Sequence, residues 1–199
     1  MNIAVFASGR GTNLAAIIKA VKKGKIKANL SLVISDNNGA YALKKAKRAK
    51  IKTAFIDSKR FSSREDYDAE VIKVLEKENI DLIVLAGFMR IISPVLIKRF
   101  PNRILNIHPA LLPCFKGIHS IKEAFDYGVK VTGVTVHFVD EKMDHGPIIL
   151  QQPLKIKDED NLETLEAKIH KIEHKIYPEA IRLFVEGRLK IENRKVKIV

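Results

Sequence analysis

A chain of 199 residues, 46% of them apolar, is long enough to bury a substantial core without disulfides or a structural metal. Its net charge of +13 would suit a nucleic-acid partner, but the lysines (Lys19, Lys22, Lys23, Lys44, Lys45, Lys47, Lys73, Lys77) scatter over expected helix faces, and no aromatic residues are interleaved to stack bases. No nucleic-acid partner is therefore expected, and the charge reads as a solvated surface that also steers anionic substrates. The lone Cys114 excludes an internal disulfide and points to the cytoplasm, and no apolar run approaches the roughly 20 residues of a membrane helix.

The chain opens on Asn2-Ile3-Ala4-Val5-Phe6, a first strand rather than a signal peptide, because it lacks a charged lead and a long apolar run. Ser8-Gly9-Arg10-Gly11-Thr12-Asn13 follows as a turn, and Leu14, Ile17, Ile18 and Val21 recur at helical spacing. A glycine-containing turn at a helix N-terminus presents backbone N–H groups and the positive end of the macrodipole, which suits an anion. The glycines fit neither a dinucleotide fingerprint nor a P-loop, so the turn alone divides evenly between a phosphate site and a plain βα connection.

Residues 30–35, 53–56 and 81–86 read as further strands, with a helix over 41–49 between the first two. Ser62 at N-cap and Glu65 at N3 are expected to cap a helix whose core stripe is Tyr67, Val71, Val74 and Leu75. The loop Gly87-Phe88-Met89-Arg90-Ile91-Ile92 leaves a strand apolar enough to be buried on both faces, and such a loop can offer apolar side chains to a flat heteroaromatic ring. A short helix begins at Ser93-Pro94.

The next strand ends in Asn106-Ile107-His108-Pro109. Its period of two puts Asn106 and His108 on one side, and Pro109 stops the ladder. A carboxamide can donate to a developing oxyanion, and an imidazole can move the proton that an attacking amine must lose. Asp144 is the expected orienter of the ring, hydrogen-bonded to it. Beyond it, residues 131–139 and 147–154 read as an antiparallel pair, since their connection is too short for a helical crossover. Asp160 and Glu163 are expected to cap a long helix with the stripe Leu165, Ile169, Ile172, Ile176, Ala180 and Leu183, with Glu173 at its edge, a kink at Pro178 and an end at Gly187. A small hairpin closes the chain. The whole predicts one domain over 1–199, an α/β fold with an open, mostly parallel twisted sheet and helices on both faces.

Asn106-Ile107-His108-Pro109-Ala110-Leu111-Leu112-Pro113 together with Asp144-His145-Gly146-Pro147 resembles the folate-dependent formyltransferases. The likeness extends to Ser8 through Leu14, Leu85-Ala86-Gly87-Phe88-Met89-Arg90, Glu173-His174 and Tyr177-Pro178, several motifs in the family's order. The resemblance implies a Rossmann-like formyltransferase fold and formyl transfer from 10-formyltetrahydrofolate to the amine of glycinamide ribonucleotide in purine synthesis, with no metal. It makes Asn106, His108 and Asp144 catalytic. It places Gly11, Thr12 and Asn13 on the substrate's phosphate, and His170 and Glu173 on its glycinamide. Arg64, Met89, Arg90, Ile91, Ile92, Asn106 and Asp140 fall on the folate. Monomer and homodimer are both open. His119, His137 and His145 read as structural or exposed residues.

Three other readings compete. A formyltetrahydrofolate deformylase would share the core but carry an extra N-terminal domain, and methionyl-tRNA formyltransferase a C-terminal barrel; 199 residues hold room for neither. His170-Lys171-Ile172-Glu173-His174 fits the H-x-x-E-H pattern of a zinc peptidase, a short motif on a helix rich in such residues and with no identifiable third ligand.

Overall fold

A computed structural model describes residues 1–199, which fold as two compact units, Met1–Leu105 and Asn106–Val199. The first unit alternates strand and helix: β1 (Asn2–Phe6), α1 (Thr12–Lys22), β2 (Asn29–Ser35), α2 (Tyr41–Arg48), β3 (Lys52–Phe55), α3 (Arg64–Lys77), β4 (Leu82–Leu85) and α4 (Pro94–Arg99). β5 (Ile104–His108) begins here, and the strand order is β3-β2-β1-β4-β5. β1 pairs parallel with both β2 and β4, and β2 pairs parallel with β3. Every residue of β4 and nearly all of β1 and β2 are buried, as expected for a sheet covered on both faces. The chain winds outward from β1 to β3 and then returns to β4 on the other side of β1. The two loops that leave the carboxyl ends of β1 and β4 therefore flank a topological switch point, where open sheets take ligands.

The second unit holds the last three residues of β5, then α5 (Ser120–Tyr127), β6 (Val131–Phe138), β7 (Ile148–Lys155), α6 (Leu162–Val185), β8 (Leu189–Glu192) and β9 (Lys195–Ile198), in the order β5-β6-β7-β9-β8. β6 and β7 are antiparallel, as are β8 and β9, while β9 joins β7 parallel at Ile148 and Lys195. β6 is buried almost throughout, whereas β7 alternates, one face covered and the other wet.

Four expectations are corrected. The cap of α3 is Ser63, whose hydroxyl accepts from the Asp66 N–H, one residue later than expected; Ser62 instead donates to the Asp66 carboxylate. α6 is capped by Asn161 with Thr164 in a reciprocal box, while Asp160 binds Lys168 and the Thr164 hydroxyl. Val74 and Ile172 are only half-buried, and their places in the stripes go to Asp68 and Glu173. The lysines of α1 and α2 are not all scattered: Lys19, Lys22 and Lys45, with Lys23 just past α1, line one groove, while Lys44 and Lys47 do not. α6 runs on through Pro178, and Gly187 adopts the left-handed conformation that ends it.

Gly133 marks the tightest approach within the β6–β7 pair. A Cβ there would stand 2.3 Å from the Gln152 carbonyl oxygen and 2.6 Å from Leu111 Cδ2. The first of these is backbone, held in the ladder, and cannot yield without disturbing the register. Gly133→Ala is therefore expected to lower the unfolding free energy by about 1–3 kcal/mol or more, read from urea denaturation midpoints; an unchanged midpoint would show that the pair can open at no cost.

Candidate active site

Asn106, His108 and Asp144 come together where β5 and β6 end. His108 is buried and Asn106 half-buried at the end of β5. His108 Nε2 lies 2.7 Å from the Phe115 carbonyl oxygen. A carbonyl only accepts, so Nε2 carries a hydrogen. The other ring nitrogen, Nδ1, faces the Asp144 carboxylate at 3.5 Å. Asp144 thus orients the ring as a charge rather than through the short hydrogen bond expected, and its Oδ2 accepts instead from the Gly117 N–H at 2.9 Å. Both imidazole nitrogens face acceptors, an arrangement that two N–H donors would satisfy.

His137, read from the sequence as merely structural or exposed, is the residue that sequence reasoning missed. It is 2% exposed on β6, and Asn106 Nδ2 lies 3.2 Å from its Nε2. Its Nδ1 donates to the Phe138 carbonyl at 2.7 Å, which leaves Nε2 as the acceptor for Asn106. Burial holds the His137 imidazole below its ordinary value, outweighing the opposite pulls of the Phe138 carbonyl and of Asp144, whose Oδ1 lies 3.8 Å away. A neutral His137 therefore fixes which way the Asn106 carboxamide points, and one amide N–H of Asn106 remains for a substrate oxygen. The available signal was position: a histidine at the end of an otherwise apolar strand must find partners there.

The loop from β6 to β7 holds Asp144 in place. Asp144 adopts φ +48°, and a Cβ on Gly146 would sit 1.9 Å from the Phe138 carbonyl oxygen. Asp140 is tied into this loop by His145 Nδ1 at 2.7 Å and the Lys142 N–H at 3.0 Å, and Arg194 donates to the His145 carbonyl. On α6, Glu173 lies buried inside the stripe and not at its edge, 2.9 Å from His170 Nδ1. The His170 and His174 rings stack with centroids 6.4 Å apart, and together with Glu173 they do not form a group that could hold a metal ion.

In the first unit the two switch-point loops are fastened to each other. The Ser8 N–H donates to the Gly87 carbonyl, the Met89 N–H donates to the Ser8 hydroxyl, and that hydroxyl donates to Asp36. Gly11 caps α1 at φ +66°, and a Cβ there would meet Ala42 at 2.9 Å, so both conformation and space require glycine. α1 has no side-chain cap and no acidic residue in its first turn, so the positive end of its macrodipole at Gly11, Thr12 and Asn13 is not offset by a local carboxylate. Beyond β4, Met89 and Ile91 point outward at 64% and 54% exposure while Ile92 turns into the core. Arg90 lies over the Tyr67 ring, 4.6 Å from its centroid. Asp68, also missed, is buried on α3 and accepts from the Ser93 N–H at 2.6 Å, which fastens the far end of the same loop; burial raises its carboxyl above the ordinary value. Arg64 stands exposed in the first turn of α3.

No helix is long and apolar enough to cross a membrane. The family model described as formyl transferase matches residues 1–181. Phosphoribosylglycinamide formyltransferase of Escherichia coli is 42% identical over 191 residues, 96% of this chain and 90% of that protein. The trifunctional purine biosynthetic protein adenosine-3 of chicken is 44% identical over 191 residues, but the chain spans only 19% of its length. Among solved structures, glycinamide ribonucleotide transformylase 1 from Symbiobacterium toebii superposes with a TM-score of 0.98 at 46% identity, covering 100% of this chain and 94% of that one.

The depressed His137 imidazole has a consequence for stability. Its folded value lies below the 6.5 of an unperturbed imidazole, so the unfolded chain binds the extra proton. The stabilisation from the neutral ring is complete above about pH 6.5 and is lost as pH falls toward the folded value. His137→Phe is expected to flatten that part of the pH dependence, measured as urea midpoints at mildly acid and neutral pH. It should also lower kcat by roughly 10²-fold, because the carboxamide loses its fixed direction. An unchanged kcat with a flattened stability profile would leave His137 a purely structural residue.

Proposed function

The chain belongs to the formyl transferase family, and we propose that it moves the formyl group of 10-formyltetrahydrofolate to the amine of glycinamide ribonucleotide, with residues 1–199 working as one catalytic domain. It is an enzyme of formyl transfer in purine biosynthesis: its relatives of matching length are named phosphoribosylglycinamide formyltransferase, and the longer chicken protein that it matches in part is named a purine biosynthetic protein. The observation that carries the assignment of roles is the grouping of Asn106 and His108 at the end of β5 with Asp144 of the β6–β7 loop, which leaves one carboxamide N–H for a carbonyl oxygen beside an imidazole N–H held by the Phe115 carbonyl.

The reaction joins the amine nitrogen to the formyl carbon and breaks the bond from that carbon to N10 of the folate. The amine gives up a proton and N10 gains one. Asn106 donates to the oxyanion of the tetrahedral adduct, and His108 adds a second N–H and moves the proton, with a water as relay. For this the Nε2 proton of His108 exchanges the Phe115 carbonyl for the substrate oxygen. Asp144 stabilises the charged ring. Gly11, Thr12 and Asn13 hold the phosphate, and His170 with Glu173 orients the glycinamide, so that binding remote from the reacting carbon positions the amine. The exposed apolar faces of Met89 and Ile91 fit one side of a pterin, with Arg90, Ile92 and Asp140 fixing the loops beside it, and the free cation of Arg64 suits the folate's carboxylate tail. A cytoplasmic place agrees with the single, exposed thiol of Cys114.

Conversion of 10-formyltetrahydrofolate, followed by absorbance with and without glycinamide ribonucleotide and with EDTA in both, tests the reading. Turnover that requires the ribonucleotide and ignores EDTA is the expected result; turnover without the ribonucleotide would make the enzyme a deformylase. Asn106→Ala is expected to lower kcat by about 10²–10³ with little change in KM. Changes at Thr12, by contrast, should raise KM for the ribonucleotide and spare kcat.

A further inference from the structure

The unit Met1–Leu105 carries a charged surface for which formyl transfer has no evident use. Residues 12–50 hold ten lysines and arginines against one carboxylate, Asp36, a net +9 of the chain's +13. None of the ten has a carboxylate partner, whereas cations elsewhere do, such as Lys168 with Asp160 and Arg182 with Glu179 and Glu186. Asp36 is itself taken by the Ser8 hydroxyl. The helix macrodipole favours cations in each last turn, which accounts for Lys19 and Lys22 on α1 and for Lys45, Lys47 and Arg48 on α2, but not for Lys23, Lys25, Lys27, Lys44 or Lys50.

Helical spacing then sorts this charge into a site. On α1, Ala15, Ile18, Lys19 and Lys22 share one stripe, and Arg48 and Ala49 face them from α2 across an open groove. Ala15, Ile18 and Ala49 form its floor and the cations its rim. Lys45, also on the rim, turns its ammonium to the Gly11 carbonyl at 3.1 Å, and Arg48 donates to the Tyr41 hydroxyl at 3.2 Å, which leaves Lys19 and Lys22 as the uncommitted cations of the rim. Steering of small anions needs no apolar floor. A nucleic acid would want rings to stack on, and the aromatic residue of α2, Tyr41, is already covered by Lys45 and Arg48 at 5.3 and 5.9 Å from its centroid. An apolar trough between unpaired cations is complementary to an acidic helix or strand bearing one aliphatic or aromatic anchor.

We propose that the α1–α2 groove docks an acidic segment of a partner protein, its apolar anchor over Ile18 and its carboxylates on Lys19, Lys22 and Arg48. The proposal does not depend on which reaction the chain catalyses.

Fluorescence anisotropy of the full chain with two labelled peptides of equal charge tests it. One is a helical peptide with leucines at i, i+3 and i+4 and glutamates elsewhere, the other the same peptide with the leucines replaced by glycine. The leucine peptide is expected to bind, and the glycine peptide roughly tenfold or more weakly. Lys19→Glu with Arg48→Glu, and separately Ile18→Asp, should each weaken the leucine peptide by roughly tenfold or more. Lys155→Glu with Lys195→Glu, the same charge change in the other unit, should leave it within about twofold, the range of a remote surface substitution. Formyl transfer by every variant should match the parent and so report intact folding; where the reversal disturbs it, Lys19→Gln with Arg48→Gln takes its place. Equal binding of the two peptides, indifference to the rim changes, or tighter binding of a single-stranded oligonucleotide of matching charge would overturn the proposal.

Discussion

Three polar side chains buried or half-buried at the ends of two neighbouring strands set the terms for the second unit. Asn106, His108 and His137 cannot be left unpaired there, since an unmet donor or acceptor costs about 1–3 kcal/mol. The partners that satisfy them also assign their protons. The Phe138 carbonyl takes the Nδ1 proton of His137, His137 Nε2 takes one proton of Asn106, and the Phe115 carbonyl takes the Nε2 proton of His108. What remains unsatisfied is small and directed: one carboxamide N–H and whatever His108 can release. Stability and reactivity are thus one accounting, because the same bonds that make burial tolerable define the donors left for a substrate.

The first unit solves a different problem with the same means. Loops at a switch point have no ladder to hold them, yet a phosphate or a pterin needs them fixed. Ser8 supplies the fastening through its backbone and its hydroxyl, and Asp68 supplies the second from α3. Asp68 is a buried carboxylate with a raised protonation point, and its N–H partner at 2.6 Å explains why it is kept in an otherwise apolar stripe. The outward Met89 and Ile91 are then displayed by a loop whose two ends are pinned.

Much of this was legible in the chain. The element order, the antiparallel return at β7, the end of α6 at Gly187 and the closing hairpin follow from periodicity and turn chemistry alone. The caps slipped by one residue because Ser62 and Ser63, or Asp160 and Asn161, are chemically equivalent candidates, and only the helix frame chooses between them. Glu173 and Asp68 lie where an apolar stripe was expected, and burial of a carboxylate is decided by partners distant in sequence. The trio was named, but the geometry of Asp144 was not: a carboxylate shared between the Gly117 N–H and the His108 ring is a tertiary fact. His137 escaped for the same reason, since nothing local distinguishes a structural histidine from one that turns a carboxamide.

The loop that carries Asp144 also shows how far the dependence reaches. Gly146 brings the chain back against β6 so closely that the Phe138 carbonyl has no room for a methyl group beside it. That carbonyl is the acceptor of His137, and His137 is the acceptor of Asn106. A glycine with no chemistry of its own therefore stands at the head of a chain of contacts ending on the carboxamide. Because the same loop places Asp144 beside His108, the direction of Asn106 and the orientation of the imidazole cannot be altered independently. The site is specified by this shared backbone as much as by the side chains of Asn106, His108 and Asp144.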